Sequence, residues 1–145
     1  MTREILFRGK REDTGEWIEG YFLQLHRSER AFIVPKQFVQ RGTLRMSGEA
    51  PPKIIPIEVI PETVSQFIGL IDRLGKKIFE GDIVNIVTGI NGYKSTYSTA
   101  IQEVKYTADN GIAVFYPFDN SDMVEVEVIG NIYDNKELLD GKDTD

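Results

Sequence analysis

The apolar residues of this chain fall into short alternating or β-branched runs, with Gly, Pro, Asn and Asp between them. The cleanest alternation covers residues 123–129. There Val124, Val126 and Val128 stand against Glu125, Glu127 and Ile129. A period of two predicts a strand with one buried face and one mostly wet face. The strongest β-branched run, 83–87, follows a charged turn at 72–76 and the corner Glu80-Gly81-Asp82. At such a corner Gly supplies positive φ and Asp bonds nearby backbone N–H groups, so one strand hands over to the next.

The same reading places strands elsewhere. Residues 4–8 predict a short strand, Asp13-Thr14-Gly15 a turn, and 16–24 a return strand carrying Trp17, Tyr21 and Phe22. Gly20 inside that strand predicts a bulge or a close backbone approach. Residues 31–34 predict a third strand, ended by Pro35. Residues 54–60 predict an edge or bulged strand, because Pro56 lacks an N–H. A helical turn at 61–63 precedes a strand over 63–70. Gly89 to Gly92 reads as a turn and 95–106 as one long strand. Asp109-Asn110-Gly111 reads as a hairpin turn, with 112–116 returning. Residues 135–139 predict about one helical turn, with Leu138 and Leu139 packing back. The stretch 41–53, with Gly42, Gly48, Pro51 and Pro52, predicts a mobile loop, and the acidic tail 140–145 a frayed end.

These elements predict a single, mostly β domain over 1–145. We expect a small, partly open barrel of SH3-like character, with β-hairpin extensions and a short C-terminal helix. Exposed strand edges in such a fold predict a homo-oligomer that covers them.

Composition narrows the chemistry. The chain has 145 residues and is 41% hydrophobic, enough for a core of one domain. It lacks an apolar run of roughly 18 residues, so no membrane span is expected. Met1-Thr2-Arg3-Glu4-Ile5 does not resemble a secretory signal, so a cytoplasmic protein is expected. Cysteine is absent, which removes disulfides and thiolate chemistry. His26 is the single histidine, so no site can draw two histidines from one chain. Net charge is −6. Residues 1–60 carry ten Lys/Arg against eight Asp/Glu, net +2, while 61–145 carry seven against fifteen, net −8. A nucleic-acid surface is therefore expected on the first half or nowhere.

Few residues qualify as a site. Arg8, Lys10 and Arg11 lie beside Phe7 and Trp17, the one basic cluster with aromatic neighbours. Cations meet phosphates and flat rings stack on bases, so this hairpin is the candidate nucleic-acid or partner contact. Arg41 and Arg45 extend it if their loop folds over the hairpin. Glu80 and Asp82 form a carboxylate pair only on a regular strand, and Gly81 argues for a turn instead. Asp72 suits an Asx-turn. Glu125 and Glu127 read as the wet side of their strand. His26 is expected at the surface.

Three blocks share one pattern. The first is Arg3-Glu4-Ile5-Leu6-Phe7-Arg8-Gly9-Lys10 with Gly15-Glu16-Trp17-Ile18-Glu19-Gly20-Tyr21. The second is Val64-Ser65-Gln66-Phe67-Ile68-Gly69-Leu70-Ile71-Asp72 with Gly75-Lys76-Lys77-Ile78-Phe79-Glu80-Gly81-Asp82-Ile83-Val84. The third is Val128-Ile129-Gly130-Asn131-Ile132-Tyr133-Asp134-Asn135, ending in Glu137-Leu138-Leu139. In this order they resemble the YopX family of phage and prophage proteins. The resemblance implies a mostly β protein of a phage or its bacterial host, and it carries no catalytic residues onto this chain. The expectation is a non-enzymatic accessory protein that works through protein–protein contacts, with no cofactor or metal. The alternatives are a nucleic-acid-binding module using the basic hairpin, and then a carboxylate- or metal-dependent enzyme around Glu80 and Asp82.

Overall fold

The structure is a computed structural model that describes residues 4–36, 39–40, 44–45, 48–49, 53–109, 112–117 and 122–141. Its contacts divide the chain into two compact units, one up to Gln66 and one from Phe67 onward. The fold is mostly β, with antiparallel hairpins and, near the C terminus, a short helix.

In the first unit, β1 (Phe7–Lys10) pairs with β2 (Trp17–Gln24), and β2 pairs with β3 (Ala31–Val34). β1 starts three residues later than residues 4–8 suggest. Its register is set by the hairpin turn, where the Arg11 N–H donates to the Glu16 carbonyl at 2.8 Å and Phe7 stands opposite Gly20. Within 41–53, expected to be a mobile loop, the described residues make short ladders. β4 (Val39–Gln40), β5 (Leu44–Arg45), β6 (Gly48–Glu49) and β7 (Lys53–Ile54) pair as β4 with β7 and β5 with β6. The rest of that stretch, Arg41 included, lies outside the described residues. Pro56 separates β7 from β8 (Ile57–Val59), which pairs with β3.

β8 then returns to the start of the sheet. Val59 bridges Arg11, the Glu12 N–H donates to the Glu58 carbonyl at 3.0 Å, and the Ile60 N–H donates to the Lys10 carbonyl at 2.8 Å. The sheet thus curls back on its first strand without a full ladder to close it. The inner side buries Ala31, Ile33 and Val59, with Phe7, Ile18, Phe22 and Val64 packed against them. Burying a side chain such as Ile33, at 0% exposure, contributes roughly 2–3 kcal/mol. Gly20 is required by a close approach: a Cβ there would sit 2.1 Å from the Val34 carbonyl oxygen. A 3₁₀ turn at Pro61–Thr63 follows, and β9 (Ser65–Ile71) starts by setting Ser65 opposite Arg8.

In the second unit, the end of β9 pairs with β10 (Lys77–Phe79) across the turn at Asp72. β11 (Asp82–Ile90) is paired to β12 (Tyr93–Glu103) on one side. The expected long strand 95–106 is interrupted at Val104. Its N–H donates to the Asp82 carbonyl at 2.8 Å and its carbonyl accepts from the Gly81 N–H at 2.9 Å, which buries the side chain. β13 (Lys105–Asp109) and β14 (Ile112–Tyr116) form a hairpin with Asp109 opposite Ile112. Asn110 and Gly111, the expected turn, lie outside the described residues. β15 (Met123–Asn131) covers the other side of β11. α1 (Glu137–Gly141) follows, and 142–145 of the expected frayed tail lie outside the described residues.

This core gathers Ile68, Ile78, Val84, Ile86, Val104 and Val128. Val124 does not join it. The register against β11 shifts between the pairs Val87–Glu125 and Thr88–Met123, so Val124 is the extra residue of a bulge and is 45% exposed.

Candidate interaction site

The site grows out of the β1–β2 hairpin. Alternation sends Phe7, Gly9, Ile18 and Gly20 toward the inner side and Arg8, Lys10, Trp17 and Glu19 outward. Lys10 stands directly opposite Trp17, and Arg8 opposite Glu19. The Arg8 guanidinium carbon lies 4.7 Å from the centre of the Trp17 ring, and the Lys10 Nζ lies 5.6 Å from it. Two cations thus meet one indole, whose electron-rich face attracts both. Arg8 is 8% exposed, and its Nε donates to Ser65 Oγ at 3.1 Å. Ser65 fixes the guanidinium, and the guanidinium fixes the ring.

Arg11 does not join them. Its guanidinium grips Asp13 in the turn, Nε to Oδ1 at 2.9 Å and Nη2 to Oδ2 at 2.8 Å. The hydrogen bond from Arg11 holds the Asp13 carboxyl below the usual carboxylate range, and the same bond raises Arg11. Of the four residues expected in the site, the structure brings Arg8, Lys10 and Trp17 together and spends the charge of Arg11 on its own turn.

The face extends further than the basic cluster suggests. Along β2 the residues two and three steps beyond Trp17 on the same side are Tyr21, 48% exposed, and Leu23, 39% exposed. Leu23 stands opposite Phe32, over which the Arg30 guanidinium sits at 5.2 Å while it holds Glu58 through two bonds. The signal was present in the period-two spacing of Trp17, Glu19, Tyr21 and Leu23. Lys36 pairs with Glu4, and that hydrogen bond raises the lysine.

The other candidates resolve as local structure. Gly81 has φ +84°, and Asp82, 1% exposed, accepts the Phe79 N–H on Oδ2 at 2.8 Å. Together they make the corner into β11. Among the described residues no group of three or more His, Asp or Glu side chains is placed to hold a metal ion. Asp72 accepts the Leu74 and Lys76 N–H groups on Oδ1 at 2.9 and 2.8 Å, an Asx-turn. Glu125 and Glu127 face Arg73, whose Nε lies 3.7 and 3.0 Å from them. His26 is exposed, in a turn closed by the Ser28 N–H on the Leu25 carbonyl.

A family model described as YopX protein matches residues 6–140. The chain belongs to the YopX family. The match includes β1, β2 and the whole second unit up to Asp140, so the hairpin with Arg8, Lys10 and Trp17 is part of the YopX region. Among solved structures, the YopX chain is similar to the crystal structure of protein EF1440 from Enterococcus faecalis. They share 21% identity at a TM-score of 0.57, over 95% of this chain and 99% of that one. At this identity the likeness concerns the fold. No curated protein matches the sequence. No helix among the described residues is long and apolar enough to cross a membrane.

Proposed function

We propose that this YopX protein is a phage or prophage accessory protein without catalytic activity. It acts in the host cytoplasm by binding another protein through the outer face of β1 and β2. The observation that supports this is the Trp17 ring, held by Arg8 and flanked by Lys10, in line with the exposed Tyr21 and Leu23. Trp, Tyr and Arg are enriched among the residues that carry most binding energy at protein interfaces, and Trp and Tyr offer large area at low entropic cost. The partner is a second copy of the chain or a protein of the phage or host.

The charge pattern favours this over nucleic acid. Phosphate contacts need available cations, yet Arg11 holds Asp13, Arg30 holds Glu58 and Lys36 holds Glu4. Lys10 beside Trp17 is the feature that keeps nucleic-acid binding as the second reading. Two measurements separate them. Sedimentation together with affinity capture should yield a complex that Tyr21→Ala or Trp17→Ala weakens. A gel shift that weakens as salt rises, with no protein complex, overturns the proposal in favour of nucleic acid.

A further inference from the structure

We draw no further inference here: the strongest candidate, the edge strand β12 with the exposed Tyr93, Tyr97 and Ile90 at its hairpin end, is blunted by Lys94 and by the register shift between Thr88 and Ile90, and nothing in the structure shows what covers it.

Discussion

Asp72 and Val128 stand 56 positions apart in the chain, and the Val128 N–H donates to Asp72 Oδ2 at 3.0 Å. The same carboxylate accepts two further N–H groups of its own turn on Oδ1. One side chain therefore closes the 72–76 turn and ties it to β15. Asp72→Ala leaves three N–H groups without their acceptor. A buried unmet donor costs about 1–3 kcal/mol, so the variant should lose about 2–5 kcal/mol in denaturant unfolding. Asp72→Asn should fall between, because its NH₂ turns a donor toward one of the three.

The acid limb of stability should report the same residue. Burial pushes the Asp72 carboxyl up, but the N–H groups of Val128, Lys76 and Leu74 outweigh it, and the net shift is downward. A carboxyl lowered in the folded state stabilises fully above its unfolded value of about 3.9 and loses that contribution as pH falls through the folded value. Wild type should lose stability below about pH 4, and Asp72→Asn should show a shallower loss there. Melting curves across pH 2–7 check this.

Two glycines should resist alanine for different reasons. Gly81→Ala puts a side chain at φ +84° with its Cβ 3.2 Å from Tyr133, and should cost about 1–2 kcal/mol. Gly20→Ala aims a Cβ at the Val34 carbonyl and must move backbone, so it should cost about 4 kcal/mol or abolish folding. Thermal melts rank the two.

Gly81, Pro56 and the Asx-turn of Asp72 were legible in the sequence because each acts locally, whereas the Val34 carbonyl that requires Gly20 and the Val128 N–H that reaches Asp72 come from distant strands. The alternation at 123–129 located its strand, but the bulge at Val124 depends on the facing register of β11, which no local window contains. The return of β8 to Arg11 was equally hidden, since it rests on one bridge and two hydrogen bonds. In the candidate site, the basic cluster pointed to the β1–β2 hairpin, where Arg8 and Lys10 meet the Trp17 ring. It overstated the charge, because Asp13 lies two residues beyond Arg11 and captures it. It also stopped at Trp17, because Tyr21 and Leu23, next along the same outward side of β2, carry no charge.

The surface pair Arg11–Asp13 should matter little for stability, since both partners are solvent-accessible and water screens their attraction. Asp13→Ala frees the guanidinium instead. If nucleic acid were the partner, that variant should bind it more tightly at low salt. The protein-contact account predicts no such gain in a gel shift.

The most direct test compares partner capture by wild type, Trp17→Ala and Tyr21→Ala from cells that express the protein, each variant first shown to be folded by circular dichroism. The account predicts a defined protein partner, or a second copy of the chain, whose binding falls about tenfold or more in both variants. Capture unchanged by both substitutions, or a nucleic acid as the bound species, would contradict it.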